Sequence, residues 1–403
     1  MRALLLLLSC ILAAFASDDQ WVPLKMMVWN DEGQFHETIQ KPLQHALKWF
    51  ENAIRVKKLT APNTLAKLSQ HVSSYSVADT VTVQTSDKLF GFNLIADPTE
   101  TQKLIDAADM VIMVVEKEES ICKSTSVLAS CQPFIGDGSE RPYAAKMEFC
   151  YKILDEKKTT WFDTFRHELL HGLGFGTFDN SRFQPPPMTT YDWEFADGTT
   201  QPANRYSMQF TSPAVIKAVQ DHFNCQDPSV TVESERGAQH LNEYLFGNEL
   251  MTPSIHNVEN FFSYISAALL EETYLGAAPW YQVNRTFIAP EAEAYSHFKG
   301  TGCDLLLKSC HVYLKNNAKP GEILYPFCTG KEGKDVCYDL ASGARSAKYE
   351  CTHDNLLRGN LPADNGITEP LNSIHHFTKH RFCPVFMQIG QYINQKAANV
   401  KFC

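Results

Sequence analysis

The chain has no surplus of positive charge: 36 Lys and Arg stand against 46 Asp and Glu, for a formal net charge of -10. That deficit excludes the two partners a basic surface serves, nucleic acid and anionic membrane. Long hydrophobic runs are missing too. The longest apolar stretch, residues 3–14, falls short of the ~20 residues that cross a bilayer, so no stable membrane anchor is expected. Residues 397–403 lack the apolar tail of a lipid-anchor signal, and a terminal Cys403 cannot be prenylated. No internal repeat or low-complexity tract is present, which removes solenoids and arrays from consideration.

What is present begins with an export signature. Met1-Arg2, a short apolar core and the small-residue site Ala14-Phe15-Ala16 describe a signal peptide over residues 1–17, so the mature chain is expected to be secreted and extracellular. Only a few residues then precede Trp21, and no pro-segment is expected. Of 12 cysteines, Cys10 lies in the signal; Cys225, Cys303, Cys310, Cys328, Cys337, Cys351, Cys383 and Cys403 crowd the second half. In an oxidising compartment these read as disulfides rather than metal thiolates. The number left after the signal is odd, so one thiol stays free or pairs between chains. Asn284-Arg285-Thr286 offers a glycosylation site.

At 403 residues two domains are expected. Residues 24–29 form a short apolar run, and residues 37–56 carry helical spacing through Ile39, Leu43, Leu47, Phe50 and Ile54. Residues 80–84, 109–115 and 144–154 read as strands. Strands interleaved with two long helices predict a mixed sheet-and-helix unit over roughly the first 180 residues. Gln184-Pro185-Pro186-Pro187 opens a stretch that reads as loop-rich, residues 261–275 are helix-like, and cysteine-bounded segments follow a boundary near residues 252–256.

The chemistry sits on residues 160–174. His167-Glu168-Leu169-Leu170-His171 places two imidazoles four residues apart. Four residues advance a helix by ~6 Å and turn it by ~400°, so both rings can aim at one ion ~2.1 Å away. The expected ion is zinc, one per chain. Glu168 stands beside the first ligand, where its carboxylate can act on water rather than bind metal. Trp161, Phe165, Leu169 and Leu173 make a buried stripe roughly opposite the histidines, and Thr160 with Asp163 reads as a capping pair. Gly174 can end the helix in the left-handed conformation and reverse the chain.

A third ligand is needed. In the common pattern a histidine follows three residues after that glycine, but Thr177 stands there and neither Phe178 nor Asp179 supplies an imidazole. The best candidate is His240, in Gly237-Ala238-Gln239-His240-Leu241-Asn242-Glu243, 69 residues after His171 and followed by Asn248-Glu249-Leu250-Met251-Thr252-Pro253. Here the sequence resembles the leishmanolysin family, metzincins in which a long insertion separates the glycine turn from the third histidine. Glu249-Leu250-Met251 looks like that family's Met-turn, and the resemblance implies that Met251 lies beneath three imidazoles. Residues 109–115, Pro279-Trp280-Tyr281, Gly302-Cys303 with Cys310, and Arg381-Phe382-Cys383-Pro384-Val385 extend the likeness over most of the mature chain.

The resemblance implies an α+β, metzincin-like zincin: a twisted mixed sheet, a central zinc helix and a cysteine-rich, loop-dominated C-terminal domain. The expected catalytic region is 18–254, with a sheet and helix subdomain to about 180, an insertion over 180–236 and a ligand and Met-turn segment over 237–254. Residues 255–403 form the disulfide-rich remainder. His222 and His256 are rival third ligands, as are Glu243 and Glu271 for a glutamate-ligated peptidase, while His376 and His380 read as solvated. The expected function is a secreted zinc endopeptidase acting on protein or peptide substrates, with Glu168 as general base. The alternative from another class is a catalytically silent secreted binding protein on the same fold.

Overall fold

The computed structural model describes residues 21–30, 35–59, 63–71, 79–115, 127–134, 141–150, 160–176, 188–194, 198–208, 212–235, 239–255, 259–273 and 279–317, with three further strands at Val336–Asp339, Ser346–Cys351 and Phe386–Gln388. The expected signal peptide, His256, His376 and His380 lie outside these residues. No helix among the described residues is long and apolar enough to cross a membrane. The chain divides into two units, Met1–Phe175 with Thr273–Phe287, and Gly176–Glu272 with Ile288–Cys403.

The first unit is built on a six-stranded sheet in the order Leu89–Asn93, Thr80–Gln84, Met26–Asn30, Met110–Val115, Ala144–Phe149, Ala129–Phe134. Met26–Asn30, Met110–Val115 and Ala144–Phe149 run parallel, and the outer pairs are antiparallel. The sheet is therefore mixed. The parallel centre accounts for the near-continuous apolar runs of Met26–Asn30 and Met110–Val115, since a strand covered on both faces loses the polar alternation of a half-exposed one. One face packs Met27, Trp29, Val81, Val83, Val111 and Met113 against Leu68, Leu94 and Ile105. Against the sheet's other end lies helix Trp161–Gly172, where the Phe149 and Phe165 rings meet edge to face at 5.3 Å. Each such aromatic, fully removed from water, stabilises the fold by roughly 1.5–3 kcal/mol.

Two expectations change here, and a third runs past the described residues. The helical pattern from residue 37 ends at Ala53, and Ile54–Lys57 instead forms a strand. It pairs with Trp21–Pro23 on one side and Tyr281–Val283 on the other, so long-range hydrogen bonds overrule the local period. The strand from Ala144 is described only to Phe149. Thr160 stands at the head of its helix but makes no side-chain cap there, because its backbone (φ -104°, ψ 0°) is not the extended conformation of a capping residue. Asp163 accepts from Arg166 at 2.6 Å, and that guanidinium lies buried over the rings of Trp49 and Phe162.

Strand Tyr281–Val283 also explains why a short late segment belongs to the first unit. The Tyr281 hydroxyl donates to the Leu173 carbonyl at 2.8 Å, satisfying a group that the helix end leaves without an intrahelical donor. Tyr281→Phe is expected to lower stability by about 1–2 kcal/mol in denaturant unfolding. An unchanged midpoint would show that this carbonyl finds another donor.

The second unit holds an antiparallel hairpin, Met188–Glu194 with Thr200–Ser207, joined at its far side by Glu233–Ser234. Helix Pro213–Phe223 starts at a Ser212 cap, whose hydroxyl accepts from Val215, and ends at Asn224 in the left-handed conformation. Regular structure thus occupies a stretch read from sequence as loop-rich. The proline cluster masked the strand pattern, and the Ser212-Pro213 start signal was overlooked. Helix Tyr264–Glu271 lies within the helix-like residues 261–275, and Cys225 is bonded to Cys303.

Candidate metal centre

Helix Trp161–Gly172 carries the paired histidines, and both the apolar stripe and the histidine face are buried. The imidazoles of His167 and His171 therefore point into protein rather than solvent. Their Nε2 atoms stand 3.1 Å apart. The His171 Nδ1 lies 2.9 Å from the Phe175 carbonyl, which can only accept, so Nδ1 carries the proton and Nε2 presents its lone pair. Two lone-pair nitrogens facing at that distance repel unless a cation or a proton lies between them. Nitrogens held ~2.1 Å from a tetrahedral ion stand ~3.4 Å apart. The donor pair fits zinc.

The helix end supplies that carbonyl. Gly174 has φ 100°, Phe175 N–H bonds to Leu170 O at 3.0 Å and Gly174 N–H to His171 O at 2.8 Å. These are the two crossed bonds of a left-handed helix stop. The stop brings the Phe175 carbonyl to the ring of His171, so the glycine turn that reverses the chain also sets the tautomer of that imidazole.

Glu168 is buried beside the pair, 7% exposed, and burial pushes its carboxyl up to about 8. The backbone N–H of Cys131, on edge strand Ala129–Phe134, donates to it and pulls the other way. Burial lowers the pKa of His171, which keeps its ring neutral and able to ligate. The edge strand escaped the sequence reading, because Pro133 and mixed polarity hide its alternation. Cys131 itself is buried and free, a state that sequence could not assign.

In the second unit, His240 sits on a short ladder. Its carbonyl accepts from Glu235 N–H at 3.0 Å, Leu241 N–H donates to Met251 O at 2.9 Å, and Asn242 N–H donates to Glu233 O at 3.0 Å. Met251 is fully buried, and its own N–H donates to Glu249 Oε2. Gly176 packs against the residue before His240: a Cβ there would lie 2.5 Å from the Gln239 carbonyl oxygen. Within the first unit, His167 and His171 present the paired imidazoles that could hold a metal ion, and His240 belongs to the second unit.

Of the rival ligands, His222 and Glu243 have partners of their own. His222 stacks on Tyr295 with ring centroids 4.7 Å apart, its Nε2 lies 2.7 Å from the His297 carbonyl, and burial pushes its pKa down to about 4. Glu243 accepts from the Ser254 hydroxyl at 2.9 Å, and Glu271 closes helix Tyr264–Glu271. The Asn284 side-chain oxygen accepts from Phe287 N–H, while its amide donates to the Asn52 carbonyl.

The chain is similar to several known proteins. A leishmanolysin-like peptidase of Drosophila melanogaster is 23% identical over 321 residues, covering 69% of this chain and 44% of its own length. One of Caenorhabditis elegans is 23% identical over 383 residues, covering 79% and 55%. A ciliated left-right organizer metallopeptidase of Danio rerio is 25% identical over 219 residues, covering 51% and 33%. The chain thus spans about half the length of the curated relatives it matches. The model of the leishmanolysin peptidase family matches residues 52–360. The chain belongs to the leishmanolysin family.

Proposed function

We propose that the chain is a secreted zinc-dependent endopeptidase that cleaves within protein or peptide substrates. The observation that carries this reading is the buried imidazole pair, Nε2 to Nε2 at 3.1 Å, with the buried Glu168 carboxylate next to it in the helix. Relatives named as peptidases support it. His167, His171 and His240 hold the ion, and Met251 forms the apolar floor that family membership implies. When bound, zinc polarises the substrate carbonyl and stabilises the negative charge that develops on its oxygen. Glu168 takes the proton of the attacking water and delivers it to the leaving amine. The Cys131 N–H holds that carboxylate in place, and the Phe175 carbonyl holds the His171 ring.

Export is part of the reading. The Cys225–Cys303 bond, with Cys150 and Cys310 also disulfide-bonded, suits an oxidising compartment. Asn284 is the sugar acceptor of this reading: an N-linked glycan replaces one amide hydrogen and leaves the other for the Asn52 carbonyl.

The test is zinc content per chain in wild type and in His240→Ala, together with hydrolysis of casein. About one zinc in wild type, lost with activity in the variant, is the expected result. Full zinc and activity in the variant would remove His240 from the site. Zinc without hydrolysis in wild type would favour a silent binding protein.

A further inference from the structure

We infer that Glu249 is a positioning residue for the third ligand, acting through the backbone of Met251. The inference rests on the zinc reading above and goes beyond it, because no step there uses Glu249. Its side chain is 0% exposed, a costly place for a carboxylate unless donors surround it. Oε2 accepts from Met251 N–H at 2.5 Å; Oε1 accepts from Ser263 N–H at 3.1 Å and from the Ser263 hydroxyl at 2.9 Å. Burial pushes the carboxyl up, and these donors pull against it.

Those donors come from two segments. Ser263 caps helix Tyr264–Glu271, so the carboxylate sits at the positive end of that helix. Met251 belongs to the turn. The same turn is tied at its start, where Leu250 N–H donates to Phe261 O at 2.7 Å and the Thr252 hydroxyl donates to Glu249 O at 2.9 Å. Met251 O then accepts from Leu241 N–H, the residue after His240. One chain of contacts therefore runs from the helix cap through Glu249 and Met251 to the backbone of His240. A carboxylate suits this junction because both oxygens only accept, whereas an amide would turn an N–H towards Met251 N–H or towards Ser263.

The experiment compares zinc dissociation constants, by chelator competition, for the full-length wild type, Glu249→Gln and Val219→Ala. Val219 is buried in helix Pro213–Phe223, so its truncation reports plain loss of stability. Glu249→Gln is expected to weaken zinc at least tenfold, with kcat at saturating zinc within threefold of wild type, while Val219→Ala stays within threefold in affinity. Zinc affinity within threefold for Glu249→Gln overturns the inference. Should that variant not fold, hydrogen exchange on metal-free wild type decides. Slow exchange of the Met251 and Leu241 amides, matching helix Tyr264–Glu271, supports it, and loop-like rates overturn it. Wild type without zinc would instead sink the metal reading, and this inference with it.

Discussion

Glu168→Gln is expected to lower kcat by about 10³-fold, within the 10²- to 10⁴-fold range of a lost general base, while one zinc per chain is retained. Glu168 is 7% exposed and follows His167 directly, so its carboxylate is next to the ligand pair without any need to ligate. Glutamine keeps the size of the side chain and an oxygen for the Cys131 N–H, and removes only the ability to take a proton. KM should therefore move less than threefold. A loss of kcat below tenfold would exclude Glu168 as the base.

The same pair of proteins carries a pH signature once stripped of metal. Burial raises the folded-state pKa of Glu168 to about 8, against ~4.3 in an unfolded chain. Between these values the folded state binds the extra proton, so this group stabilises the fold fully only at low pH, and its contribution declines as pH rises towards 8. Glutamine cannot titrate. The melting temperature of chelator-treated wild type, relative to that of Glu168→Gln, should thus fall between pH 5 and pH 8. A constant difference would show that the carboxylate is already ionised at pH 5 in the metal-free protein.

The second large effect is expected at Gly176. Its φ of +69° costs an L-residue roughly 1–2 kcal/mol, and a Cβ there would lie 2.5 Å from the oxygen, 2.7 Å from the Cα and 2.8 Å from the carbonyl carbon of Gln239. All three are backbone atoms, so no rotamer change can relieve the contact. The ladder that carries His240 must shift instead. We expect Gly176→Ala to cost about 3 kcal/mol, roughly 6–10 °C in melting temperature, and to weaken zinc at least tenfold. Gly198→Ala is the control: its φ is +80°, yet a Cβ there would meet nothing within 4 Å. Conformational strain alone should then cost about 1 kcal/mol and leave zinc affinity untouched. Equal losses in the two variants would show that the close approach to Gln239 carries no weight.

Legibility followed the range of the forces involved. The helix around His167 and His171 could be read directly, because one turn of helix relates the two rings and Gly174 marks its end. The strands Met26–Asn30 and Met110–Val115 were equally plain as apolar runs. The ion pair of Asp163 was not legible, since only the packed structure brings Trp49 over Arg166 and makes Asp163 its counter-ion. The hairpin Met188–Glu194 with Thr200–Ser207 was missed because its pairing partner, not its own pattern, stabilises it.

By itself, then, the sequence determined that His167, Glu168 and His171 share one helix and that Gly174 stops it, all of them consequences of spacing within a few residues along one chain segment. Only the tertiary structure decided which carbonyl fixes the His171 ring, which backbone N–H holds Glu168, that Tyr281 returns to the end of the helix, and what ties the Met251 turn to the residue beside His240. The reason is physical. Those contacts join residues that are remote in sequence or depend on the packed geometry of a turn, and they form only after burial of the surrounding apolar side chains has offset the entropy of bringing distant segments together.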